Sequence, residues 1–236
     1  MYKAAIFDMD GTILDTIEDL RDAINYSFEQ AGHKHDFTSL EAKALFGSGV
    51  DVAIMRGLAL ESGISITELV KIGTDEPVAG LVTDEHEVAK IRTIYRPYYE
   101  THCAIKTGPY KGILEVIQKL REHGIKTAVV SNKPHEAVLT LSENHFKGLF
   151  DFSLGEKAGI ARKPAKDMAC EAMRILNVNP KDTVYIGDSE IDILTAKNSG
   201  IDCISVDWGF RDRDFLTPYH TTITSTMDDL YQQITK

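Results

Sequence analysis

Cysteine pairs, basic charge, long apolar runs and low-complexity linkers are all scarce in this chain of 236 residues. The cysteines number three, at positions 103, 170 and 203, with no C-x-x-C spacing. An odd, scattered set excludes a disulfide framework and a thiolate metal cluster, and fits a reducing compartment. Lysine and arginine total 26 against 36 acids, a formal net charge of -10. That balance argues against nonspecific binding to nucleic acid or an anionic membrane, so attraction for an anionic ligand has to be local. No apolar stretch approaches the length a membrane helix needs. The opening Met1-Tyr2-Lys3-Ala4-Ala5 lacks the basic, apolar and small-residue order of a signal peptide. The expected location is the cytoplasm, with no membrane or nucleic-acid partner and a monomer or homodimer as the assembly.

What is present is ordinary for a folded protein: 43% hydrophobic and 26% charged residues. The length suits one large domain, or a core domain carrying an insertion. The stretch Ala4-Ala5-Ile6-Phe7-Asp8-Met9-Asp10-Gly11-Thr12 organises the rest. Its four apolar residues predict a buried strand, and the strand runs out into two acids followed by a Gly-Thr turn. On an extended backbone, residues two apart lean to the same side, which brings Asp8 and Asp10 into one small volume. Carboxylates that close repel unless a cation or a hydrogen-bond donor relieves them, so a metal or a catalytic proton is implied. Alone, the pair reads equally well as the start of a solvated loop.

Beyond Thr12 the periodicity becomes helical. Ile17, Leu20, Ile24, Phe28 and Ala31 recur at spacings of three and four, with Asp15 or Thr16 as a cap and Gly32 as a stop. Further helices are expected at about 39–46, 50–62, 65–72 and 84–95, with no strand between them. Residues 16–90 therefore form an inserted all-helical cap domain, whose place behind the acids suggests a lid. Residues 1–15 and 91–236 form the core domain. From Gly108 helices alternate with strands at about 127–130, 150–154, 183–186 and 203–206. The expected fold class is α/β: a Rossmann-like, mostly parallel sheet with helices on both faces and an inserted helical cap.

Ligands of open parallel sheets sit beyond the carboxyl ends of the strands. Asp8 and Asp10, Ser131-Asn132, and Gly187-Asp188-Ser189 with Asp192 all follow strands, and Lys163 lies in a loop before a helix. This set suits phosphoryl transfer from a monoester. A phosphate dianion repels a carboxylate nucleophile, so a divalent metal, a lysine and N–H donors are needed around it. Asp8 and Asp188 with solvent would hold Mg2+, a hard ion suited to a few carboxylates and several waters. Asp8 would attack phosphorus, and Asp10 would serve as general acid and then general base.

Asp8-Met9-Asp10-Gly11-Thr12, Ser131 after an apolar strand, Lys163-Pro164 and Gly187-Asp188-Ser189-Glu190-Ile191-Asp192 occur in one order. In these four motifs the chain resembles the haloacid dehalogenase superfamily of phosphatases, in the subgroup with a helical cap behind the first motif. The resemblance implies Asp8 as nucleophile and Asp10 as acid and base. It implies Mg2+ held by the Asp8 carboxylate, the Asp10 main-chain oxygen and Asp188, with Thr12, Ser189 and Asp192 in support. It also implies a phosphoryl group bound by Ser131, Asn132 and Lys163. Each residue has a plainer reading: Ser131 as a helix cap, Lys163 as a surface lysine, Asp192 as a first-turn acid favoured by the helix dipole.

Within the subgroup the chain is similar to phosphoglycolate phosphatases in Asp15-Thr16, Thr107-Gly108-Pro109-Tyr110-Lys111-Gly112, Ser131-Asn132-Lys133-Pro134 and Trp208-Gly209-Phe210-Arg211. A small phosphorylated metabolite is the implied substrate. The family's beta-phosphoglucomutases usually carry valine where this chain has Thr12, which leans toward hydrolysis. Phosphotransferase, pyrophosphatase and nucleotidase activities remain alternatives, as does an inactive binding protein. A receiver-like signalling module lacks both the second acid and the inserted helices. In the cap, Phe46-Gly47-Ser48-Gly49 is read either as cleft-facing or as an ordinary loop, and Arg56 either as a substrate contact or as a surface residue. His33-x-His35 has no third ligand nearby, and Trp208 reads as a packing residue.

Overall fold

The structure is a computed structural model that describes residues 1–74, 76–219 and 222–236. The chain begins with β1 (Ala4–Phe7) and a short β2 (Leu14–Asp15). It then builds α1 (Ile17–Ala31), α2 (Ser39–Leu45), α3 (Val50–Glu61), α4 (Ile66–Leu69) and α5 (Glu85–His102). From β3 (Gly108–Pro109) the pattern alternates: α6 (Ile113–Glu122), β4 (Lys126–Pro134), α7 (His135–Phe146), β5 (Phe152–Glu156) and α8 (Asp167–Leu176). Next come β6 (Thr183–Gly187), α9 (Glu190–Ser199), β7 (Asp202–Val206), α10 (Arg213–Leu216), β8 (Ile223–Thr224) and α11 (Met227–Thr235). Two compact units result, one of Met1–Asp15 with Gly108–Lys236 and one of Thr16–Thr107.

In the first unit six strands form a sheet in the order β5-β4-β1-β6-β7-β8, parallel at every pairing. β1 lies between β4 and β6, with Phe7 opposite Val129 on one side and Ile186 on the other. The period of two divides each strand between two cores. Ala5, Phe7, Val129, Val184 and Ile186 join Ile113, Val116, Ile117 and Leu120 of α6 and Leu230 and Ile234 of α11. Ala4, Ile6, Ala128, Val130 and Tyr185 join Met168, Ala172 and Met173 of α8 and Ile193 and Ala196 of α9. A sheet covered on both faces explains why β1 and β6 read as unbroken apolar runs. β2 and β3 pair antiparallel at the point where the chain leaves and re-enters this unit, Leu14 opposite Pro109 and Asp15 opposite Gly108. Neither these two-residue strands nor β8 carries a periodicity that the sequence could display.

Among the described residues of the second unit the regular elements are all helices, joined by turns and loops. The unit extends past residue 90 because α5 does not stop near Pro97 but continues to His102. A proline inside a helix costs roughly 3 kcal/mol. Packing beyond it offsets that cost: Tyr98 stacks on Tyr26 at 4.0 Å and buried Tyr99 stacks on Tyr95 at 5.3 Å. Buried Asp19 ties the end of the unit to its beginning, accepting the Lys106 N–H at 3.0 Å, the Thr107 N–H at 2.9 Å and the Thr107 hydroxyl at 2.8 Å. α1 ends at Gly32 in the left-handed conformation, with φ 86°. Among the described residues no helix is long and apolar enough to cross a membrane.

His33 is not simply solvated: both of its ring nitrogens are engaged by carboxylates. Its Nδ1 meets Glu61 Oε2 at 2.7 Å and its Nε2 meets Glu87 Oε1 at 3.0 Å, clamping the ends of α1 and α3 to the start of α5. Burial opposes the charged ring, but the hydrogen bonds and charges of Glu87 and Glu61 outweigh it and raise the imidazole above its ordinary range. A raised folded-state value means that the clamp's contribution is fully present below the unfolded value, about 6.5. It is lost as pH rises through the folded value. The stability difference between the wild type and His33→Gln, measured by thermal unfolding, is therefore expected to be largest near pH 5.5 and to shrink toward pH 9.

Candidate active site

β4, β1 and β6 are adjacent and parallel, so their carboxyl ends open side by side. Asp8 follows β1 directly, and its N–H donates to Ile186 O at 2.8 Å. The chain then turns sharply: Ile13 N and Leu14 N both donate to Met9 O, at 3.1 and 3.0 Å, with Gly11 at φ +80°. Ser131, Asn132 and Lys133 lie on β4, which runs further than the expected strand and carries a register irregularity between Val130 and Pro134. Asp188 follows β6, and Asp192 stands in the first turn of α9. Lys163 arrives from the segment between β5 and α8.

These residues meet. Lys163 Nζ lies 2.8 Å from Asp8 Oδ1 and 2.7 Å from Asp192 Oδ1, with its side chain 2% exposed. Asp192 Oδ2 accepts the Ser189 hydroxyl at 2.7 Å and the N–H groups of Ser189 and Asp188 at 3.1 and 3.2 Å. Asp192 thus anchors both Lys163 and the turn that bears Asp188. Thr12 donates its hydroxyl to Asp188 Oδ1 at 2.9 Å, and the Phe210 N–H donates to Asp188 Oδ2 at 2.7 Å. The Asn132 side chain accepts the Lys163 N–H at 2.9 Å and donates to Lys163 O at 3.1 Å. Its amide is therefore engaged in holding the lysine loop, while the Ser131 hydroxyl oxygen accepts the Lys133 N–H at 3.2 Å.

Two features escaped the sequence reading. Lys133 is buried, and its Nζ lies 3.0 Å from Asp10 Oδ1. The period of two that pairs Asp8 with Asp10 also pairs Ser131 with Lys133, so the signal was present. The other is the buried fork of Arg211 on Glu190, with Nε to Oε2 at 3.0 Å and an Nη to Oε1 at 3.2 Å. No spacing in the sequence links those two residues. Arg211 closes a segment that packs around Asp188: Trp208 donates to Thr12 O at 3.2 Å, and a Cβ on Gly209 would run into Asp188 and Gly11 O. Arg56 is the reverse case. It is fully buried in the second unit, where it donates to Leu45 O, Val70 O and Ile72 O at 3.1 Å and to the Ser48 hydroxyl at 3.1 Å. It staples the Phe46–Gly49 segment and is not a surface residue.

The electrostatics fit a divalent cation. Asp8, Asp188 and Asp192 each offer an oxygen within 4.8 Å of the others, all three buried. Lys163 pairs with Asp8 and Asp192 and Lys133 with Asp10, and with Asp188 beside Asp8 and Asp192 the acids outnumber the two lysines by two. Asp8 Oδ1 is close to Lys163 but accepts no well-aligned hydrogen bond, so it keeps lone pairs for a ligand. Burial pushes the Asp8 carboxyl well above the usual carboxylate range; Lys163 pulls it down, and Asp192, Asp188 and Asp10 push it further up. Burial, then Asp192, pushes Asp188 up to about 7 against the Phe210 N–H, the Thr12 hydroxyl and Arg211. Burial works against the Lys163 charge, but Asp192 and Asp8 hold its ammonium well above the ordinary range. Acids strained in this way are those a bound cation relieves.

The sequence profile described as haloacid dehalogenase-like hydrolase matches residues 5–206, and the chain belongs to that family. A crystal structure from Lactobacillus delbrueckii subsp. bulgaricus, of a protein provisionally named phosphoglycolate phosphatase, is 55% identical. It superposes with a TM-score of 0.95, covering 99% of this chain and 98% of its own. A phosphoglycolate phosphatase of Cereibacter sphaeroides is 29% identical over 95% of this chain and 94% of its length. Another, from Mesorhizobium japonicum, is 27% identical over 88% of this chain and 84% of its length. The protein is an enzyme, a phosphoric monoester hydrolase similar to the phosphoglycolate phosphatases.

Removing Lys163 leaves Asp8 and Asp192 without their shared cation. Breaking a buried ion pair from one side costs about 3 kcal/mol or more. For a chain of this size that is a fall in Tm on the order of 10 °C, expected for Lys163→Met in metal-free buffer by calorimetry. Gly209→Ala forces Asp188 or Gly11 to move, and turnover is expected to fall about tenfold or more at a destabilisation of roughly 1–3 kcal/mol. Gly108→Ala, where a Cβ meets nothing within 4 Å, is the matched control and should turn over as wild type in a phosphate-release assay.

Proposed function

We propose that this enzyme is a Mg2+-dependent phosphatase of the cytoplasm, acting on 2-phosphoglycolate or a related small phosphomonoester through an aspartyl-phosphate on Asp8. The observation that carries the reading is the arrangement of groups: four acids and only two buried lysines gathered about three adjacent strand ends, three of the acids within 4.8 Å of one another. The names of the relatives favour the substrate. That none of the three cysteines is in a disulfide is in keeping with a reducing location, and the net charge of -10 with a ligand other than nucleic acid.

In this reading the Asp8 carboxylate attacks phosphorus, forming the Asp8–phosphorus bond as the ester oxygen leaves. Asp10 gives that oxygen its proton, then takes one from the water that cleaves the aspartyl-phosphate and frees inorganic phosphate. Lys163, beside Asp8, screens the incoming dianion, and Asp192 keeps the lysine there. The Ser131 hydroxyl donates to a phosphoryl oxygen. Because the Asn132 amide holds the Lys163 main chain, the contribution of Asn132 to phosphate falls to its main-chain N–H. The Asp8 carboxylate, the Asp10 main-chain oxygen and Asp188 would hold Mg2+, which when bound supplies positive charge against the phosphoryl oxygens. Thr12 and Ser189 support by fixing Asp188 and Asp192.

Phosphate release measured over 2-phosphoglycolate, sugar phosphates, nucleotides and pyrophosphate tests both levels. Release is expected to require Mg2+ and to drop about 10^3-fold or more in Asp8→Asn, with 2-phosphoglycolate giving the highest kcat/KM. A nucleotide or pyrophosphate at the top of that ranking would replace the substrate while leaving the chemistry intact. Wild-type turnover by Asp8→Asn would remove the chemistry itself.

A further inference from the structure

Lys133 contributes to none of the steps above, yet it is as deeply set as Lys163: its side chain is 2% exposed. A buried ammonium requires an anionic or hydrogen-bonding partner, and Asp10 is an anionic one here, with Nζ 3.0 Å from Oδ1. The backbone beneath the lysine is fixed from two sides. Its N–H donates to the Ser131 hydroxyl oxygen at 3.2 Å, and its carbonyl is pressed by Gly155 of β5, where a Cβ would stand 2.6 Å from Lys133 O. The next turn is fastened to the same strand, because Gly155 N donates to His135 Nδ1 at 3.1 Å. The position of the ammonium is thus set by the sheet.

The Asp10 main chain is held at the turn by its bridge to Leu14, which leaves the direction of the carboxyl itself to be set by its ion pair. Asp10 lies one residue before the Gly11 turn, and its side chain is 17% exposed. A carboxyl free to rotate about χ1 and χ2 would deliver its proton from many directions, most of them unproductive. Its Oδ1 is the buried oxygen and faces Lys133 as an ion pair at 3.0 Å without a well-aligned hydrogen bond, so the hold on it is one of charge.

We propose that Lys133 is a positioning residue for Asp10: it grips Oδ1, leaving Oδ2 as the oxygen that passes the proton to the leaving alcohol and later receives one from water. The proposal rests on the acid and base role given to Asp10 above. It assigns the two lysines separate work, Lys163 on the attacking carboxylate and Lys133 on the proton-transferring one. Gly155 belongs to the same device, since a side chain there would displace the strand that carries Lys133.

The test uses the full chain with saturating Mg2+ and 2-phosphoglycolate and p-nitrophenyl phosphate as probes. Variants are Lys133→Met, Lys133→Gln and Lys133→Arg, the first also combined with Asp10→Asn. Lys133→Met and Lys133→Gln are expected to lower kcat about 10- to 100-fold with KM within about threefold, the split of an interaction needed only for turnover. Lys133→Arg should recover part of the loss. The double variant should be no slower than Asp10→Asn alone, within about twofold, because a grip on Oδ1 has nothing to position once the acid is gone. Three results overturn the proposal: a raised KM with unchanged kcat, losses that multiply in the double variant, or wild-type turnover in Lys133→Met. Should Lys133→Met fail to fold, the same comparison is made with Lys133→Gln, which stays polar in the buried site but carries no charge to hold Oδ1. Failure of the underlying reading looks different, since Asp10→Asn would then match the wild type by itself.

Discussion

Carboxylates crowded at the ends of three neighbouring parallel strands repel one another, and most of the first unit's polar structure answers that repulsion. Lys163 spans Asp8 and Asp192, and Lys133 meets Asp10. Thr12 and the Phe210 N–H hold Asp188 from opposite sides. Apart from the partly exposed Asp10 these groups are buried, so most of the contacts act at low dielectric, where pairing matters most and loss of a partner is most costly. The sheet makes the crowding tolerable because its cores on both faces are apolar and continuous, which holds the strand ends in register.

Support for the site comes from backbone as much as from side chains. Gly11, Gly187 and Gly209 stand where any Cβ would collide with Asp188 or Asp192. Gly155 does the same for the turn after β4. Such positions let a main chain approach a functional carboxylate closely, which larger residues forbid. The buried Arg211–Glu190 fork then secures the segment that covers Asp188, at the end of β7, without touching the acid itself. Buried forks of this kind are retained for geometry more readily than for stability, since their desolvation offsets much of their attraction.

The helical unit shows the same economy with different parts. Arg56 donates into a ring of carbonyls at the end of α2 and around α4, doing inside the unit what its charge suggested it did for a ligand. Asp19 closes the unit upon itself through the Lys106 and Thr107 N–H groups. His33 joins α1, α3 and α5 through two carboxylates. Each is a polar residue enclosed because the helices are too short to bury their ends in apolar contacts alone.

The alternation of helix and strand and the order of the motifs were legible in the sequence. They depend on local rules: a period of two, a period of 3.6, and the glycine that ends a run. The helix expected at about 84–95 runs on to His102, past Pro97, because tertiary packing such as the stacking of Tyr98 on Tyr26 outweighs a local rule. Partnerships between distant residues needed the folded chain. That Asn132 binds the Lys163 main chain, that Lys133 faces Asp10, that Arg211 meets Glu190 and that Arg56 is enclosed follow from how strands and loops converge. Residue type and spacing determine which groups are available at each strand end. Which of them touch is decided by packing, because a hydrogen bond or ion pair exists only where two chain segments are held within about 3 Å of each other.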